Sequence, residues 1–210
     1  MFIKDSKIKD VSNYYRKEFN SFGPTFKGVN WNSRESQELR FEQLMKVVDN
    51  CDKSFSILDY GCGYGALYPF MKRKFPTFRF YGYDSLNVMI EKATTIYSGT
   101  KCSWFSDSVN LVKTDYVVAS GLFNVKLDYN DDDWKAYVVD IIESFNALSL
   151  KGFAFNLLTK YADKDRMKNN LYYADPLFLF DYCKINCSRN VALLHDYSLY
   201  EFTILVRKKN

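Results

Sequence analysis

Ile57-Leu58-Asp59-Tyr60-Gly61-Cys62-Gly63-Tyr64-Gly65-Ala66 is the most informative segment of the chain. The apolar run from Phe55 to Tyr60 stops at glycines spaced by single residues. From Ala66 to Phe75 a helix is expected, with Pro69 in its first turn and Lys72, Arg73 and Lys74 near its end, where cations suit the helix dipole. Three of the nine glycines fall at 61, 63 and 65. A strand that ends in glycines and feeds a helix lets the backbone approach a ligand, and in open α/β sheets the ligand crevice lies at such strand ends. Residues 61 to 66 also fit the dinucleotide pattern G-x-G-x-x-A, with Asp84 about 20 residues on to meet ribose hydroxyls. Asp59 separates the two ligands. A carboxylate two residues before the first glycine would face a pyrophosphate unfavourably, but would suit a ligand carrying a sulfonium and an ammonium group.

Around this segment, short apolar runs alternate with amphipathic helices. Strands are expected at 55–60, 78–83, 102–105, 116–119 and 153–158. Ser85 is expected to cap a helix striped by Leu86, Met89, Ile90, Ala93 and Ile96. Asp131, Asp132 and Asp133 open a helix carrying Trp134, Tyr137, Val138, Ile141, Ile142, Phe145 and Leu148, and carboxylates stabilise a helix N-terminus. Asp175-Pro176 starts another by cap and N1 proline. Runs at 191–195 and 199–206, joined by the short turn Asp196-Tyr197-Ser198, imply a closing hairpin and hence one antiparallel strand. Before the first strand, Ser33 caps a helix to Asp49 with Phe41, Leu44, Met45 and Val48 at helical spacing; residues 1 to 30 read as a short helix and a loop. The expected fold is α/β, a doubly wound, seven-stranded, mostly parallel sheet. Residues 1–210 form one domain, with 1–50 as a helical cover and 51–210 as the core.

Composition narrows the function. With 210 residues, 47% hydrophobic and 26% charged, the chain is long and apolar enough for a substantial core, and disorder is excluded. No run of 18 apolar residues exists. The net charge of +4 is too mild for a nucleic-acid or anionic-membrane signature. Met1 to Lys7 carries charges where a signal peptide would be apolar, and five cysteines (51, 62, 102, 183, 187) without framework spacing suit reduced thiols, so a cytoplasmic protein is expected. Zinc has little support: Cys183 and Cys187 are four apart in an expected helix, and His195 is the one histidine.

Leu58 through Gly65 resembles, position for position, the first motif of the class I S-adenosylmethionine-dependent methyltransferases, apolar-Leu-Asp/Glu-x-Gly-x-Gly-x-Gly. The resemblance implies S-adenosylmethionine as cofactor and S-adenosylhomocysteine as product, held by Asp59, Gly61, Cys62, Gly63 and Gly65. It implies that Asp84, ending Phe80-Tyr81-Gly82-Tyr83-Asp84, binds the ribose, with Ser85, Leu86 and Met89 flanking the adenine and Asp107 of Ser106-Asp107 at the adenine edge. Ala119-Ser120-Gly121-Leu122-Phe123-Asn124 looks like the fourth-strand motif. It lacks the Asp/Asn-Pro-Pro-aromatic signature of base-amino methylation, which lowers a DNA-methylating reading. Gly28-Val29-Asn30-Trp31 with Gln37 and Arg40, and Tyr172-Tyr173-Ala174-Asp175-Pro176, look like features of small bacterial members.

From this follow the expected site residues. Ser120, Gly121 and Arg40 join the cofactor set, and Trp31, Gln37, Phe123, Asn124 and Asn156 the acceptor set. His195, Tyr172 and Tyr173 are the candidates for catalysis, although a lone histidine is more often hydrogen-bonded structure. Gln37 and Arg40 could equally be the solvated face of their helix, and Asp84 a cap. Arg40, Lys126, Lys160 and Arg166 among aromatics suggest a small polar or anionic acceptor, methylated at oxygen. A nucleic-acid methyltransferase, a nucleotide-binding oxidoreductase and a non-catalytic binding partner remain alternatives, and a homodimer is open.

Overall fold

The computed structural model describes residues 2–49 and 53–208; Cys51 and the expected 50/51 junction lie outside the described residues. Strands β1 (Phe55–Tyr60), β2 (Phe78–Tyr83), β3 (Cys102–Phe105), β4 (Thr114–Ala119), β5 (Ser149–Thr159), β6 (Tyr173–Ala174), β7 (Asn190–Leu194) and β8 (Glu201–Arg207) form one sheet in the order β3-β2-β1-β4-β5-β8-β7. The chain reverses its progression between β1 and β4, which is where a crevice opens in a doubly wound sheet. β8 runs antiparallel to both β5 and β7, as the closing hairpin requires. The two-residue β6 is an addition to the expected seven: it pairs with Leu158 and Thr159 beyond the point where β4, paired through Ala119 to Phe155, has ended.

Alternation along the strands sorts the core into two layers. Leu58, Val117, Phe153, Phe155, Ile204 and Val206 face helix α5 (Asp131–Leu148). Their neighbours Ile57, Val118, Ala154 and Leu205 face α2 (Arg34–Met45) and α3 (Leu67–Lys74). Ser33 caps α2 in a reciprocal capping box with Ser36, and the helix ends at Met45, short of Asp49. Asp175 caps α6 (Pro176–Asn186), its carboxylate accepting from Leu177 N.

Two local expectations are corrected. The N-terminal segment is one 21-residue helix, α1 (Phe2–Phe22), where a short helix and a loop were expected. Ile8, Val11, Tyr15 and Phe19 recur at helical spacing and face the fold, but they are interleaved with charges that mask the stripe. Ser85 does not cap α4 (Asn87–Ile96); the Asp84 carboxylate accepts from Leu86 N, and the Ser85 hydroxyl meets that of Ser12 on α1 at 2.9 Å.

Candidate active site

A cleft of about 1070 Å³, counting its open mouth, lies where β1, β2 and β4 end beneath α1. Its floor is the glycine turn. Gly61 N and Cys62 N both donate to Tyr83 O, at 2.7 and 2.9 Å, tying the turn to the end of β2. Gly63 holds φ +54°, a left-handed conformation that favours glycine, and a Cβ there would meet only Val29 Cγ1, at 3.2 Å, so the backbone is bare toward the cleft. Gly63 N donates to Asp84 Oδ2 at 2.9 Å while Leu86 N donates to Oδ1 at 2.9 Å. Asp84 is therefore both a clamp across the βαβ unit and a carboxylate with lone pairs left for a ligand.

Among the described residues, Asp59 and Asp84 are the charged side chains lining the cleft. Burial, with the Asp84 carboxylate adding repulsion, pushes Asp59 up to about 8, and no cation or hydrogen-bond donor among the described residues offsets this. Burial also raises Asp84, while its two backbone donors work in the opposite direction. Two desolvated carboxylates side by side make a site whose missing complement is positive charge.

The opposite wall is assembled from distant parts of the chain. Trp31 lines the cleft, and its ring fills the space a Cβ on Gly121 (φ +66°) would occupy. Arg40 stacks on the indole, 4.0 Å from its centre, and its guanidinium donates to both oxygens of Glu201 at 2.6 to 3.0 Å and to Ser36 O at 2.7 Å. Asn156 Nδ2 donates to Glu201 Oε2, and Asn156 Oδ1 accepts from Gly121 N. The residues thus form a closed ring, Gly121–Trp31–Arg40–Glu201–Asn156. The side chains of Arg40, Asn156 and Glu201 are all buried.

The fold brings Trp31, Gln37, Asp59, Gly61, Cys62 and Gly63 together with Asp84, Ser85, Leu86, Met89, Ser120 and Gly121 around the cleft. Gln37 and Tyr64 line the cleft together, and the buried Ser120 hydroxyl has no hydrogen-bond partner. Other expected residues do not line it. Gly65 backs onto Trp104, and Asp107 is an exposed cap for Val109 N. Phe123 is core, its carbonyl accepting from Trp134 Nε1; Asn124 serves Leu158 N; Arg40 and Asn156 belong to the ring behind Trp31. His195 is exposed beyond β7 against Tyr161 and Phe202, Tyr172 is core, and the Tyr173 hydroxyl accepts from Lys168 N. The cleft gains residues the sequence reading missed. Ile8, Val11, Ser12 and Tyr15 come from α1; Tyr60, Tyr83, Trp134, Tyr137 and Ile141 come from strand ends and α5. For α1 the signal was its apolar spacing; for α5 the same stripe was read as core alone. No group of residues suited to a metal ion occurs among the described residues.

No protein-family model matches the chain. It is 45% identical over 165 residues to the Mycobacterium tuberculosis (strain ATCC 25618 / H37Rv) protein named "Putative methyltransferase Rv1506c", covering 78% of this chain and 99% of that one. The chain belongs to the class I S-adenosylmethionine-dependent methyltransferases. The methyltransferase fold is shared with solved structures at low sequence identity. The Synechocystis PCC 6803 magnesium protoporphyrin IX methyltransferase with bound S-adenosylhomocysteine has a TM-score of 0.62 at 14% identity, over 99% of both chains. The DhpI-SAM-HEP complex has a TM-score of 0.64 at 13% identity, over 96% of this chain and 98% of that one. In this methyltransferase the matching motif, the buried Asp59 and the partly buried Asp84 occupy one cleft.

Proposed function

We propose that this methyltransferase moves the methyl group of S-adenosylmethionine to an oxygen of a small polar molecule held under α1. The observation that carries the reading is Asp59, a buried, unpaired carboxylate beside a glycine turn bare of side chains. The residues suit that cofactor. Asp59 complements its positive charge, the free lone pairs of Asp84 suit ribose hydroxyls, Leu86 and Met89 offer apolar faces to adenine, and the Ser120 hydroxyl awaits a partner. When bound, S-adenosylmethionine supplies a methyl carbon activated by the sulfonium. The chain's part is then to orient the acceptor and exclude water, with Trp31, Gln37 and Tyr15 closing the cleft from the cover side. No step in this reading passes through His195, Tyr172 or Tyr173.

Calorimetry with S-adenosylmethionine, S-adenosylhomocysteine and NAD tests the reading. The first two should bind and NAD should not; equal or tighter binding of NAD would sink it. Gly63→Val should abolish S-adenosylhomocysteine binding while the far-ultraviolet circular dichroism stays near native, because the added carbons enter the cleft rather than the core.

A further inference from the structure

The basic side chains that suggested an anionic acceptor in the sequence are all engaged away from the cleft. Arg40 is held by Glu201 behind Trp31. Lys126 donates to Tyr129 O and pairs with Asp131, Lys160 pairs with Asp175, and Arg166 with Asp165. Lys7, buried on α1, donates to Asp133 O rather than reaching into the cleft. Among the described residues, no lysine, arginine or histidine lines the cleft. S-adenosylmethionine has a net charge of one positive, so with both aspartates ionised the loaded cleft is left with an excess negative charge. An acceptor anion would be desolvated there without a partner.

The remaining surface has a definite character. Tyr60 and Tyr83 from the strand ends and Trp134 and Tyr137 from α5 line the cleft together with Trp31, and Tyr60 and Tyr83 pack edge to face at 4.7 Å between centres. Such a lining presents flat apolar faces to a ring, and phenol hydroxyls that hydrogen-bond without charge, while the Trp134 indole donor is held by Phe123 O. Burial raises Tyr60 and Tyr137 above the ordinary phenol value, so these hydroxyls stay neutral donors.

Resting on the cofactor reading above, we propose that the acceptor is an uncharged, hydroxyl-bearing ring compound, and that carboxylates and phosphate esters are rejected. The test uses the full chain saturated with S-adenosylhomocysteine and a matched pair of probes, 4-hydroxybenzyl alcohol and 4-hydroxybenzoate, titrated by ligand-observed NMR. The alcohol should bind at least ~10-fold more tightly, the effect of one unpaired charge in a partly desolvated cleft. Val11→Lys, which adds an ammonium to the lining, should shrink or reverse that ratio. Equal or tighter binding of the benzoate to the unmodified protein, binding of neither probe, or a ratio that Val11→Lys leaves unchanged would overturn the proposal. Failure of S-adenosylhomocysteine to saturate the protein at the outset would overturn the cofactor reading and this one with it.

Discussion

The two walls of the cleft are held together over very different lengths of chain. On the glycine-turn side, Asp84 reaches Gly63 N across 21 positions and Leu86 N across 2. On the cover side the ties span 35 positions from Gly121 to Asn156, 45 from Asn156 to Glu201 and 161 from Glu201 to Arg40, with Ser12 to Ser85 spanning 73. The first wall is one βαβ unit, complete in itself; the second exists only once α2, β5 and β8 have met. Damage to the first should therefore read out in ligand binding, and damage to the second in stability.

Arg40→Ala is the severest break in this comparison. It leaves Glu201 buried without its main partner, and should cost about 3 to 5 kcal/mol of unfolding free energy, measured by urea denaturation. This differs from both sequence-based expectations for Arg40, a place in the cofactor set or on the solvated face of its helix. Replacing the pair together, Arg40→Met with Glu201→Leu, should recover much of the loss. A small loss for Arg40→Ala alone would show that the ring of contacts is not what holds the cover wall.

Asp84→Ala tests the local wall. Cofactor affinity should fall by about 1.5 to 3 kcal/mol, the range for hydrogen bonds to a charged group, while stability falls less than for Arg40→Ala, because the loss of the acceptor for Gly63 N and Leu86 N is partly offset by relief of the carboxylate's desolvation. A large fall in melting temperature with unchanged affinity would make Asp84 a clamp alone.

Asp59 sharpens the comparison through pH. Its folded value, about 8, lies above the ordinary 3.8, so between these values the folded chain binds more protons than the unfolded one. The corresponding stability is present below pH ~4 and is lost as pH rises through about 8. Affinity for S-adenosylmethionine should move the other way, rising up to tenfold per pH unit, or about 1.4 kcal/mol, as pH increases toward 8, because the cation requires the ionised carboxylate. Asp59→Asn should flatten the pH dependence of stability and weaken binding most at pH 8 and above, with the difference shrinking toward pH 5; calorimetry and denaturation between pH 5 and 9 check both. His195→Gln, outside both walls, should change turnover by less than about threefold, far below the ~100-fold expected at the low end for a general base.

The features that could be read without coordinates are those set by neighbours in the chain. The motif from Leu58 to Gly65, the stripe from Trp134 to Leu148 and the Asp175-Pro176 helix start all reappear in place. Arg40 was ambiguous because helical spacing shows which face a residue shares, not what waits opposite; Glu201, its partner, lies in the last strand. Phe123 and Asn124 follow β4 as the motif suggested, yet Trp134 and Leu158 claim their polar groups. His195 stood out by rarity, and rarity carries no spatial information.

By itself the sequence determined the parallel sheet with its late antiparallel strand, the glycine turn, and the pairing of that turn with a carboxylate at the next strand end. Each is a matter of periodicity or of backbone freedom within some twenty residues. The tertiary structure alone decided which side chains of α1 line the cleft, that Trp31 rather than Arg40 faces it, and that two aspartates are its charged groups among the described residues. Those outcomes depend on which desolvated charges find partners across 161 positions of chain. That pairing is settled by the packing of the whole fold and leaves no local pattern to read.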